Sequence, residues 1–150
     1  MTATSVQTIL CPVDFSDESR RAISETEELA KLFDAKVVLA HVVAPLLQPV
    51  SFAGPIVHPT NFDELAREAA EKELAEVQAD LAKRGISASC EVEFGVPAKR
   101  IVALVERVGI DLVVMSTHGH TGLDHALLGS VAERVVRRCP CPVLTLKPGA

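Results

Sequence analysis

Apolar residues along this chain fall into two alternating rhythms. Runs of strand length recur at residues 6–13 (VQTILCPV), 36–43 (KVVLAHVV), 87–94 (SASCEVEF), 111–116 (DLVVMS) and 142–147 (PVLTLK). Between them the apolar positions repeat at the helical period. In 16–33 (SDESRRAISETEELAKLF) Ala22, Ile23, Leu29, Ala30 and Phe33 follow a polar turn in which Ser16 or Asp17 can cap a helix. Residues 61–85 repeat the pattern through Phe62, Leu65, Ala69, Leu74, Val77 and Leu81, with Gly85 as the stop. Residues 96–109 place Pro97 near a helix start and Ile101, Leu104, Val105 and Val108 on one face, and 130–138 (SVAERVVRR) predicts a fourth helix.

The resulting order, βαβαβαβαβ, predicts an α/β protein with a mostly parallel sheet and helices on both faces. The first three central strands are close to continuously apolar, as strands covered on both sides should be. Residues 44–60 hold four prolines and are too broken for either element, which predicts a long surface loop and a candidate lid. With no internal repeat visible, the 150 residues fit a single domain spanning 1–150 and large enough to bury its own core. Hydrophobic residues make up 48% and aromatics only 3%, without Trp or Tyr, so that core must come from Val, Leu, Ile and Ala.

A formal charge of −5 argues against nucleic acid as the main partner, because that binding needs a clustered basic face. The Arg20-Arg21 and Arg137-Arg138 pairs read as solvated helix faces. The opening MTATSVQTILCPVDFS has neither a basic start nor a long apolar run, so no secretion signal or membrane anchor is read there. A cytoplasmic protein with no membrane association is the expectation. Cys11, Cys90, Cys139 and Cys141 form no CxxC pair, and Cys139-Pro140-Cys141 has the wrong gap for the usual zinc or thioredoxin-like motif. They read as free, mostly buried thiols suited to a reducing compartment.

In an open doubly wound sheet the ligand crevice lies beyond the carboxyl ends of the strands, where strand order reverses. Two such ends carry unusual chemistry: Pro12-Val13-Asp14-Phe15-Ser16 after the first strand and Ser116-Thr117-His118-Gly119 after the fourth. If these strands are neighbours, the loops share one crevice. Gly119 and Gly122 lie in the second loop, and Gly129-Ser130 stands at the mouth of the last helix, whose unpaired N–H groups and dipole suit an anion. Ser130 also reads as an ordinary helix cap, and Asp14 as a turn residue or a cap. Taken together they favour a nucleotide or phosphate site. It is not of the Walker type, since Leu128 rather than a lysine-bearing GxxxxGK[ST] run leads into Gly129-Ser130, and no GxGxxG follows the first strand. His118, His120 and His125 read as structural or hydrogen-bonding groups, as direct phosphate contacts or as metal ligands, with no HExxH pattern to select the last. His41 reads as a core histidine whose backbone matters more than its ring.

The stretches ILCPVDFSDES, LAHVV, GVPAKRIV and above all VVMSTHGHTGLDHALLGSVAERVVRRCPCPVL resemble the universal stress protein family over nearly the whole chain. Ser116, Gly119, Gly129 and Ser130 fall on that family's signature Gly-x2-Gly-x9-Gly-(Ser/Thr). The resemblance implies a five-stranded, parallel, open twisted sheet of order 3-2-1-4-5, with the first and fourth strands adjacent. It implies ATP with Mg²⁺ or Mn²⁺ as ligand, Pro12, Val13 and Asp14 on the adenosine side, and the Val42 backbone at adenine. Met115, Ser116, His118, Gly119, Gly129, Ser130 and Val131 would surround ribose and phosphates. It further implies a homodimer through the last strand, PVLTLK, whose apolar edge suits that contact. Ser116 departs from the signature's first glycine, and its Cβ and hydroxyl either crowd the ribose or add a hydrogen bond; members lacking the glycine motif tend not to bind ATP. The function expected on these grounds is an ATP-binding, dimeric stress-response sensor or signalling module acting on a downstream protein partner. The alternatives are a nucleotide-independent dimeric interaction module and, at most, a slow ATP hydrolase.

Overall fold

The computed structural model describes residues 5–45, 61–118 and 128–149. Its elements run β1 (Thr8–Pro12), α1 (Asp17–Phe33), β2 (Lys36–Val43), α2 (Phe62–Lys83), β3 (Ala88–Phe94), α3 (Pro97–Val108), β4 (Leu112–Ser116), α4 (Ser130–Arg138) and β5 (Val143–Leu146). All pairings are parallel and the sheet order is β3-β2-β1-β4-β5. In register, Ile9 of β1 stands between Val37 of β2 and Leu112 of β4. The strand order expected from the family resemblance is the order found.

Alternation of side chains along the strands divides the core into two layers. Ile9, Cys11, Val37, Leu39 and Val114 point to one face and pack with Ala22 and Ala30 of α1 and Leu74 and Leu81 of α2. Leu10, Val38, Ala40, Val113 and Met115 point to the other and pack with Ile101, Leu104 and Val105 of α3 and Ala132 and Val135 of α4. Both faces of β1, β2 and β4 are therefore dry, which is why these strands tolerate so few polar residues. β3 lies at an edge and is mostly half-buried. Its one buried residue, Glu93, is held by Arg100 and Arg107 of α3, each at 2.7 Å. The hydrogen bond from Arg100 holds the Glu93 carboxyl below the usual carboxylate range against the opposing effect of burial, and Arg107 adds to the lowering.

Helix ends follow local chemistry. Ser16, rather than Asp17, is the N-cap of α1, its hydroxyl accepting the Ser19 N–H at 3.2 Å, while Asp17 and Glu18 complement the positive end of the helix. After α2 the chain turns at Gly85 (φ 81°) and the Ile86 N–H returns to the Leu81 carbonyl at 3.0 Å. Pro97 begins α3. The apolar stripe expected on α2 is only partly used. Leu74 and Leu81 are buried with Ala70, whereas Phe62, Leu65 and Ala69 are exposed. The helix of 22 residues spans about 33 Å, against about 23 Å for the seven-residue β3 on which it lies, so its first turns overhang the sheet. Phe33 and Val108, expected on buried faces, end their helices and are 43% and 41% exposed. No described helix is long and apolar enough to cross a membrane.

Candidate functional site

β1 and β4 lie side by side, so their carboxyl ends are neighbours at the point where the sheet's winding reverses. Beyond β1 the buried Val13 continues the ladder, donating its N–H to the Ala40 carbonyl at 2.7 Å. Phe15 then takes a left-handed conformation (φ 64°), unusual for a bulky residue, and turns the chain into α1. A local network holds that turn. The Asp14 carboxylate accepts the Ser16 N–H at 3.0 Å and the Ser16 hydroxyl, and the Asp14 N–H donates to Ser19 Oγ at 3.1 Å. Asp14 is therefore a turn residue in geometry, its carboxylate bonded within the turn to Ser16.

His41 departs from the sequence expectation. Its Nδ1 lies 2.7 Å from the Val13 carbonyl, which only accepts, so the proton is assigned to Nδ1. The ring also meets the Phe15 ring, with centroids 4.7 Å apart. The ring, as much as the backbone, fixes the β1 loop. His41 directly follows Ala40, the register partner of Pro12, and that adjacency exists only once β1 and β2 are paired.

At the end of β4, Met115 is buried and Ser116 half-buried. Thr117, absent from the expected site, organises the junction. Its N–H and hydroxyl donate to the Leu146 carbonyl at 2.9 and 3.1 Å, and its carbonyl accepts the Gly129 N–H at 2.8 Å. Because the hydroxyl proton goes to Leu146, the 2.8 Å contact with His118 Nδ1 is assigned as donation by His118 to Thr117 Oγ1. This leaves Nε2 as the acceptor of the neutral ring. A Cβ on Gly129 would lie 2.1 Å from the Thr117 oxygen, so the glycine is required for α4 to seat directly on β4. Gly129 is the N-cap of α4, and among the described residues no side chain caps it. Ser130 is thus not the cap but the first helical residue, exposed at the helix mouth.

Pro12, Val13 and Asp14 sit at one strand end and Met115, Ser116 and His118 at the adjacent one, with Gly129, Ser130 and Val131 tied to the latter through Thr117. Val42 lies near the end of β2, across β1 from β4, and packs with Val131 against the α3/α4 layer. Val13 faces the opposite layer and borders a cleft of about 730 Å³ between α1 and α2, together with Phe15, Ile23 and Val77. Gly119, Gly122, His120, Asp124 and His125 lie outside the described residues, as do 46–60, which hold most of the expected lid. Among the described residues no three His, Cys, Asp or Glu side chains are grouped to hold a metal ion.

The family model described as the universal stress protein family matches residues 5–147. A universal stress protein of Methanocaldococcus jannaschii, MJ0531, is 38% identical over 142 residues, covering 93% of this chain and 81% of the relative. The solved structure of MJ0577 from the same organism is 27% identical, with a TM-score of 0.85 over 97% of this chain and 99% of that one. A universal stress protein crystallised in complex with cAMP is also 27% identical, with a TM-score of 0.66 over 96% of this chain and 98% of that one.

Proposed function

Because the chain belongs to the universal stress protein family, we propose that it binds an adenine nucleotide, ATP in particular, and serves as a homodimeric stress-response sensor or signalling module. One observation carries the reading: α4 is seated on the end of β4 through Gly129 and Thr117, and among the described residues no side chain caps its N-terminus. Its first amides and its dipole address the crevice beside β1, which suits a polyanion. The cAMP complex of the relative supports the adenine class. Pro12, Val13 and Asp14 line the adenosine side and the Val42 backbone meets adenine. Met115, Ser116, His118, Gly119, Gly129, Ser130 and Val131 surround ribose and phosphates. Because the described residues group no three side chains able to ligate a metal, Mg²⁺ or Mn²⁺ would enter with the nucleotide and would supply positive charge there. The chain acts as one nucleotide-binding domain in the cytoplasm, pairs through the outer edge of β5, and passes its state to a downstream protein.

Ser116 favours a second reading, a nucleotide-independent dimeric interaction module, since a side chain occupies the first glycine position of the signature. Mass spectrometry of ligand released on denaturing the purified protein separates the two, followed by calorimetry of the stripped protein with ATP, AMP and cAMP. Adenine nucleotide in the supernatant and ATP bound more tightly than AMP are expected. No released nucleotide together with no heat for any of the three would leave the interaction module standing.

A further inference from the structure

Two cysteines that the nucleotide reading does not use meet at the other end of α4. Cys139 caps the helix C-terminus, its N–H donating to the Val135 carbonyl at 2.8 Å, and Cys141 follows after a single proline. Their Sγ atoms lie 3.5 Å apart in a thiol hydrogen bond. Both are half-buried and pack on the α3/α4 layer, whereas Cys11 and Cys90 pack on the opposite face of the sheet. The sheet therefore separates the Cys139–Cys141 pair from the other two thiols. Pro140 narrows the backbone freedom between them, its ring fixing φ and restricting Cys139 to the extended conformation it adopts (φ −70°, ψ 130°).

We propose that Cys139 and Cys141 are a paired oxidative modification site that closes to an intramolecular disulfide when the protein meets hydrogen peroxide. Closure brings sulfurs already in contact from 3.5 Å to about 2.05 Å, a change within reach of side-chain rotation. Burial, together with the neighbouring Cys139 sulfur, pushes the Cys141 thiol up to about 12, and that thiol also donates to the Pro142 carbonyl at 3.5 Å. Peroxide attack can begin at either thiol of the pair, for instance Cys139. Its sulfur takes one peroxide oxygen as the O–O bond breaks, giving sulfenic acid and water. The Cys141 sulfur then attacks the sulfenic sulfur, the S–S bond forms, the S–O bond breaks, and the departing hydroxide leaves as water with the Cys141 proton. Two thiols are oxidised, one peroxide is reduced, and two waters are released.

The site stands apart from the nucleotide crevice and does not depend on it. The experiment exposes the full chain to hydrogen peroxide, blocks remaining thiols with an alkylating reagent, and maps peptides by mass with and without prior reduction. The peptide carrying both cysteines should be lighter by both thiol hydrogens and refuse the reagent until reduced. Cys11, fully buried, should stay a thiol. Cys139→Ser and Cys141→Ser should each abolish that species and leave the remaining sulfur to oxidise further. Sulfinic acid on either cysteine of the unaltered protein, a disulfide between two chains, or full alkylation of both thiols after peroxide would each overturn the proposal.

Discussion

A single methyl group at Gly129 would meet backbone, not a movable side chain, because the Thr117 oxygen stands 2.1 Å from where it would sit. Gly129→Ala should cost about 1–3 kcal/mol, read as a shift in the urea midpoint. An unchanged midpoint would mean that α4 can slide off β4 freely. Gly129→Val, which would crowd bound phosphates, unseats the helix first and so cannot test the phosphates alone. Ser116→Gly is the cleaner probe: ATP affinity should be kept or rise, while stability falls by about 0.5–1 kcal/mol. A large loss of affinity in calorimetry would instead make the Ser116 hydroxyl a ligand contact. Glu93 and Glu27 set the acid response. The Glu93 carboxyl is held low first by Arg100, and that of Glu27 first by Lys31. With folded values below the ordinary 4.5, the unfolded chain takes up more protons as pH falls, so their stabilisation is complete above that value and lost below it. Glu93→Gln should flatten the fall of Tm with acidification and cost about 1–3 kcal/mol at neutral pH. A melting profile identical to the parent's at every pH would contradict this.

Among the elements, β5 carries the sharpest consequence. Val113 donates to the Pro142 carbonyl and Thr117 to that of Leu146, so alternate β5 residues turn their backbone groups toward β4. Val143 and Thr145 then turn theirs to the open edge, beside Leu144, which is 37% exposed. Thr145→Pro removes an outward donor without touching the β4 ladder. If the proposed dimer pairs these edges about a two-fold axis, sedimentation should show it weakened while the monomer stays folded. An intact dimer would place the interface elsewhere. The existence and order of the elements were readable from periodicity, and so were the stop at Gly85 and the start at Pro97. How far each apolar stripe would be covered was not, since Phe62 and Leu65 obey the same period as Leu74 but extend past the sheet.

For the protein as a whole, hydrolysis should be slow or absent even with ATP bound. Phosphoryl transfer needs positive charge on the moving group and an oriented water, yet residues 116–130 contain no Lys or Arg and Asp124 as their one acid. Single-turnover rates far below the typical median of about 10 s⁻¹ are expected. Rapid Mg²⁺-dependent ADP release that vanishes in a His118→Ala variant retaining ATP affinity would promote the hydrolase reading. The chain's local pattern carried the α/β alternation, the cap at Ser16, the helix start at Pro97 and the apolar core, because periodicity and capping are demands felt within a few residues. The His41 ring on Val13, the anchoring of Gly129 by Thr117, the edge-facing groups of β5 and the Cys139–Cys141 contact had no such local mark. Most of these contacts join residues distant in sequence, and all follow from which strands pair, in what register, and how each helix seats on the sheet; that choice is made by the packing of both core layers at once.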